Sequence, residues 1–250
     1  MKGILASDTK MVRRFLKKHN FSVSTSRDRY ISYKSTELDE LIVLTGAAGE
    51  RAYGGARMLG NMSEVTFVLS VGHAAASVET VRVGTVLLCE RLMKVEGEMA
   101  LWSSDSVAEV EVATFEYLKI LINHIDDNES KFVAGSIVTA PHIATNANMR
   151  RWLGRNLGVD AIDQDAAYVA SACSEMSIPF AIIRGITSHE SSNFSPSRYR
   201  AGPRIRNVKS KRSIILDSMF DYARYRLGMR TVSNRMDQLL TRINALVVPE

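Results

Sequence analysis

At 250 residues, with 46% hydrophobic and 24% charged side chains, the chain can bury a full core as one large α/β domain spanning 1–250, with no need of a second. The net charge of +5 allows attraction to nucleotides, nucleic acid or acidic membranes, yet no nucleic-acid reading motif and no run of about 18 apolar residues accompanies it. Cys89 and Cys173 lie in apolar runs with neither CxxC nor metal-ligand spacing, which argues against a disulfide framework or a metal site and reads as buried thiols in a reducing compartment.

The N-terminus, MKGILAS, turns polar at once and lacks the apolar core of a secretory signal, so a cytoplasmic location is expected. Lys2 to Ser7 predicts a first buried strand, and Ser7 or Asp8 can cap the helix after it, which turns Met11, Val12, Phe15 and Leu16 inward. Arg13, Arg14, Lys17 and Lys18 fall on its solvated face. Between Phe21 and Asp39 the β-branched and Tyr content predicts two antiparallel strands joined near Arg27 and Asp28.

Residues 41–45 (LIVLT) form a continuous apolar strand running into Gly46-Ala47-Ala48-Gly49 and then a helix. Such a turn either brings backbone N–H groups to an anion or serves close strand-to-helix packing; the Walker Lys and the full GxGxxG spacing are absent. Residues 65–71 (VTFVLSV) predict another buried strand, ending in Gly72, His73 and a run of small residues. His73 reads either as a ligand-facing donor or acceptor or as a structural histidine. A strand over Val81 to Leu88 follows, with Gly84 as a bulge or turn, and then an irregular segment over Leu92 to Ser106.

Helical spacing of apolar residues predicts a helix over Ala108 to Asn123, and KFVAGSIVT a strand ending at Ala140-Pro141-His142. A short helix begins near Asn146. Ala161 to Ser188 reads as Asp163-Gln164-Asp165 opening a helix that feeds a buried strand, the usual address of a ligand in an open α/β sheet. The polar stretch after Ser188 carries Arg198, Arg200, Arg204, Arg206, Lys209, Lys211 and Arg212, either a phosphate contact or a solvated, partner-facing loop. Ser213 to Leu227 and Ser233 to Val247 predict two closing helices. Together these elements predict a mixed, mostly parallel sheet of about seven or eight strands with helices on its faces.

Four stretches, in this order, resemble the nucleoside phosphorylase and nucleosidase superfamily, whose members include purine nucleoside phosphorylase, uridine phosphorylase and methylthioadenosine/adenosylhomocysteine nucleosidase. They are MKGILAS with its helix, LIVLTGAAGERAYGGARML, VLSVGHAAASVETVRVGTVLL, and AIDQDAAYVASACSEMSIPFAIIRGITS. The resemblance implies a three-layer αβα sandwich around a central mixed sheet, assembly as dimers or hexamers, and cleavage of an N-glycosidic bond by phosphate or water. That chemistry clamps the ribose hydroxyls, polarises the base and positions a nucleophile.

Carried over by resemblance, the ribose-gripping Met-Glu pair falls on Gln164-Asp165, where the charge is kept on a shorter side chain. The Ser-Asp pair whose carboxylic acid donates to the base falls on Thr187-Ser188, so that acid is missing. The glutamate that activates water in the nucleosidases falls on Met11, with Asp8 about one helical turn away as a substitute if the register shifts. The phosphate-holding arginine falls on Ser70, and Gly46, Gly72 and His73 surround the nucleophile's place. The base-stacking aromatic falls on Ile143, beside His142.

Two readings follow. One is a divergent nucleoside phosphorylase or nucleosidase acting on a purine or related nucleoside, with Ser188, His142 and Asp8 as candidate catalytic residues and His189 nearby. The other is an inactive relative that binds a nucleoside or serves as an assembly subunit, pairing with copies of itself or with an active paralogue. Neither requires a metal or a cofactor beyond phosphate as co-substrate, a membrane or nucleic acid.

Overall fold

Apolar runs buried on both faces form the middle of one sheet in the computed structural model, which describes residues 1–27, 29–95, 107–110, 112, 132–140, 147–192 and 211–245. In chain order the elements are β1 (Lys2–Ala6), α1 (Thr9–Lys18), β2 (Ser22–Arg27), β3 (Tyr30–Lys34), β4 (Leu41–Thr45), α2 (Arg51–Gly60), β5 (Phe67–Ala76) and β6 (Val86–Val95). They continue as β7 (Val107–Val110), β8 (Phe132–Thr139), α3 (Ala147–Leu157), β9 (Ala161–Asp163), α4 (Ala166–Glu175), β10 (Phe180–Ser188) and α5 (Lys211–Ala245).

Among the described residues the sheet has ten strands rather than seven or eight. β4, β1, β5 and β10 run parallel as neighbours, with Leu5 opposite Leu44 on one side and Ser70 on the other. The β2–β3 hairpin adds antiparallel strands beyond β4. At the other end β10 pairs with β6, β6 with β8, β8 with β9, and β9 with β5, so these five strands close into a ring. Closure removes the exposed edge that an open sheet would present there.

Side-chain alternation along the strands builds the layers. Leu5, Ile42, Leu44, Val68 and Ile182 face α2 and α4, packing with Leu59, Ala167 and Ala170. Ile4, Val43, Leu69, Val71 and Ile183 face α1 and α5, packing with Met11, Phe15, Val232 and Leu239. The result is the expected αβα sandwich.

Several elements depart from the sequence expectation. Residues 107–110 form a strand on β6, not the start of a helix, because Leu92 to Val95 offers them an antiparallel ladder, and Val107 and Val110 pack into separate core clusters. The same ladder makes 92–95 regular, and residues 96–106 of the expected irregular segment and 111 and 113–123 of the expected helix lie outside the described residues. The strand expected at Val81 starts at Val86, because Gly84, at φ +97°, turns the chain ahead of it. The two expected closing helices are one, Lys211–Ala245. Gly228 does not break it, because the helix there rests against the end of β10: a Cβ would lie 2.5 Å from Val83 Cγ1 and 3.3 Å from the Thr187 carbonyl oxygen. No helix among the described residues is long and apolar enough to cross a membrane.

Candidate functional site

The carboxyl ends of β1, β4, β5, β9 and β10 open onto a cavity of about 640 Å³. Ser7 and Asp8, Thr45 and Gly46, His73, Gln164 and Asp165, and Thr187 and Ser188 line it. Arg29 of the hairpin turn, Arg51, Arg150 and Tyr225 complete the wall.

Beneath this cavity lies a buried charge network that bridges strands of the ring. Arg184, in the middle of the apolar β10, donates from Nε to Asp163 Oδ2 at 2.6 Å, and both side chains are fully buried. Its Nη1 donates to the Ser70 carbonyl and hydroxyl at 3.2 and 3.1 Å, while Nη2 has no partner among the described residues. Asp163 also accepts from Thr139 Oγ1 at 2.6 Å and from the Ala166 N–H at 2.9 Å. Thr139 Oγ1 in turn accepts from the Ala167 N–H at 3.0 Å. The first turn of α4 is therefore capped from Asp163 and Thr139.

Asp165 occupies the N-cap position of α4 but its side chain does not cap the helix. Instead its Oδ1 accepts from the Gly49 N–H at 2.6 Å, and the carboxyl faces the cavity. Burial, together with repulsion from Asp163, pushes its pKa up to about 7; Arg184, the Gly49 N–H and Arg51 pull the other way. A carboxyl so placed is split between its acid and its anion near neutrality. The Gly-rich turn after β4 thus serves a carboxylate of its own chain. Gly46, at φ +93°, is required in it, since a Cβ would lie 2.2 Å from the Arg29 carbonyl oxygen.

His73 faces the cavity from β5, and its Nδ1 is shielded from solvent without a hydrogen-bond partner among the described residues. Burial pushes its pKa down to about 4, opposed by the Asp8 carboxylate and reinforced by Arg184 and Lys10. The ring is neutral at pH 7, with Nδ1 open to a proton or a donor. Asp8 caps α1, accepting from the Lys10 N–H at 2.9 Å. Ser7 Oγ, also without a partner among the described residues, lies close to Gly72: a Cβ on Gly72 would come 3.1 Å from it and 3.3 Å from the Arg184 guanidinium carbon. Gly72 itself sits behind the wall.

Of the residues singled out from sequence, the cavity gathers Asp8, Gly46, His73, Gln164, Asp165, Thr187 and Ser188. Met11 is fully buried in the α1 core and does not reach it. His142, Ile143 and the stretch 198–210 lie outside the described residues. His189 lines a neighbouring cavity of about 510 Å³, hydrogen-bonding Ser191 Oγ at 2.8 Å and contacting the buried Glu190 carboxylate. Sequence reading placed Asp163 in the tripeptide that opens the helix without giving it a role, and it missed Arg184 and Arg150. An arginine inside the apolar run FAIIRGI was the available signal, since a charge there needs a buried partner. Among the described residues no group of His, Cys, Asp and Glu could hold a metal ion.

The model of the phosphorylase superfamily matches residues 10–208. Among solved structures, the chain is similar to the 5'-methylthioadenosine/S-adenosylhomocysteine nucleosidase of Neisseria meningitidis in complex with methylthio-immucillin-A, at 12% identity, with 98% of each chain covered and a TM-score of 0.73. It is similar to the futalosine hydrolase of Helicobacter pylori strain 26695, at 14% identity over 96% of this chain and 97% of that one, with a TM-score of 0.70. A Streptococcus pneumoniae MTA/SAH nucleosidase in complex with 8-aminoadenine matches at 15% identity over 96% and 97%, with a TM-score of 0.68. No curated protein matches the chain in sequence.

Proposed function

The chain belongs to the phosphorylase superfamily, and from that premise we propose that its cavity binds a nucleoside and cleaves the N-glycosidic bond. The observation that carries the reading is Asp165: a residue at a helix N-cap whose capping work is done by Asp163 and Thr139, leaving its carboxylate turned into a cavity. One oxygen is held by Gly49, and the carboxylate can accept from the vicinal hydroxyls of a ribose. Fixing the sugar in this way lets the C1'–N bond break with the electron pair leaving on the base while oxocarbenium character grows on the ribose.

Thr187 and Ser188, at the end of β10, supply hydroxyls to the departing base. Neutral His73, which lines the cavity, is the ring that takes the proton of an attacking water as the water oxygen bonds C1'; inorganic phosphate as the nucleophile would need no such base. Serine does not protonate a leaving base as a carboxylic acid does, and this favours a second reading in which the pocket binds a nucleoside without turnover.

One experiment separates them. Purified protein is incubated with adenosine, inosine, guanosine, uridine and methylthioadenosine, with and without phosphate, and free base is measured. Base release establishes cleavage, and its phosphate requirement names the nucleophile. Absence of release from every nucleoside, together with thermal stabilisation by one of them, would leave the binding reading in its place.

A further inference from the structure

α1 contains no acidic residue, and Lys10, Arg13, Arg14, Lys17 and Lys18 are exposed on it. Opposite, α5 exposes Arg226 and Arg230. Between the two helices lies a groove of about 540 Å³ lined by Lys10, Arg13, Arg14, Arg226 and Arg230 together with Tyr225, Leu227, Met229 and Ser233. Ser233 Oγ donates to the Lys10 carbonyl at 3.1 Å and ties the helices together beside it. None of the five cations has a carboxylate within ion-pairing distance among the described residues. Arg226 meets the Tyr222 hydroxyl at 3.3 Å and lies over that ring, which leaves its charge uncompensated.

This arrangement works against the fold. Lys10 with Arg14 and Arg226 with Arg230 are like charges four residues apart on a helix, and a lysine in the first turn opposes the helix dipole. An external anion would offset both. Four residues of helix span about 6 Å, so the cations bracket a short space. A nucleic-acid strand places about one charge per 3.4 Å along its axis, so such a space would meet only about two of its phosphates. A triphosphate concentrates its whole charge there. A membrane face would call for a broad, flat array.

We infer that the α1–α5 groove binds the oligophosphate group of a phosphorylated small molecule. Tyr225 lines this groove and the first cavity alike, so, resting on the proposed nucleoside binding there, the group belongs either to a nucleotide whose riboside sits in that cavity or to a separate effector.

The test is calorimetric titration of the full chain with inorganic tripolyphosphate, at low and at moderate salt. One site is expected, weakening steeply with salt. The double variant Arg13→Gln/Arg230→Gln should bind at least about tenfold more weakly, and Lys17→Gln, on the same helix but outside the groove, within about twofold of the parent. These side chains are exposed, so the variants fold. ATP displaced by both adenosine and tripolyphosphate identifies a nucleotide spanning both sites, whereas ATP displaced by tripolyphosphate alone identifies a separate effector. No binding at low salt, binding unchanged in the double variant, or preference of the same arginines for single-stranded oligonucleotide or phosphatidylserine vesicles over tripolyphosphate overturns the inference. Binding is read without turnover, so a failure here is distinct from a failure of glycosidic cleavage.

Discussion

Replacing Asp165 by Asn should make the protein more stable and less active at once. In the folded chain the carboxyl has its pKa raised from 3.8 to about 7, mainly by burial. An acid whose pKa is raised on folding holds its proton more firmly in the folded state. Its cost is therefore absent at low pH, grows as pH rises from 3.8 to about 7, and is fully present above the folded value. A gap of about 3 units corresponds to about 4 kcal/mol at pH 8. Asparagine keeps an oxygen for the Gly49 N–H and carries no charge, so Asp165→Asn recovers up to this amount. For a chain of this length that is a rise in Tm of about 10 °C. The advantage should shrink by about 3 kcal/mol on going from pH 8 to pH 5, because the parent regains its proton. Thermal and urea unfolding followed by circular dichroism at the two pH values measure this, with base release measured in parallel. Loss of charge-assisted bonds to two ribose hydroxyls should lower kcat/KM about a hundredfold or more. An Asn variant that is no more stable at pH 8, or equally more stable at pH 5 and pH 8, refutes the assignment of a buried, titrating carboxyl.

Asp163→Asn leaves Arg184 buried without its counter-ion and should cost about 3–5 kcal/mol in urea unfolding, with partial recovery when Arg184→Met is added; a cost under about 1 kcal/mol would show that the pair is dispensable. His73→Asn should lower kcat by about 10²–10⁴-fold in water-dependent turnover while leaving the rise of kcat/KM with pH near 7 in place, since that limb belongs to Asp165; loss of the limb instead would transfer it to His73. Gly46→Ala combines a positive φ with a Cβ 2.2 Å from the Arg29 carbonyl oxygen and should lower Tm measurably, by at least about 1 kcal/mol of stability, and an unchanged Tm would mean that the hairpin tip moves freely. Ser188→Asp should add a descending limb to the pH–rate profile as the new acid loses its proton, and a profile without one would place Ser188 away from the leaving base.

The fold was legible because its signals are local. The buried runs LIVLT and FAIIRGI, the capped amphipathic α1 and the alternation in the β2–β3 hairpin each name their element without reference to the rest. What misled was ambiguity of period and punctuation. VAEV suits a strand or a helix until β6 supplies a partner, and Gly228 looks like a break until its role in packing against Val83 and Thr187 is visible. The candidate site was half legible for the same reason. Asp165, His73 and Ser188 sit beside strand ends and turns that mark themselves, whereas the link of Arg184 to Ser70 joins residues 114 positions apart.

The tripeptide Asp163-Gln164-Asp165 shows where the limit lies. From sequence its two aspartates are interchangeable candidates to cap the helix that follows, and resemblance points to the second as the ribose ligand. Their separation into two roles depends on Arg184 and Thr139, which arrive from other strands of the ring. Arg184 pairs with Asp163, and that carboxylate, with one oxygen on Arg184 and the Ala166 N–H, takes over the helix terminus. Asp165 is left with a single backbone donor and a cavity in front of it. Its carboxyl bears the cost of burial, raised further by the anion at Asp163, so the same neighbour that frees it also holds it near the point of titration. A side chain held in so unfavourable a state, beside a helix whose capping falls to Asp163 and Thr139, is what the proposed role of Asp165 as a ribose ligand requires.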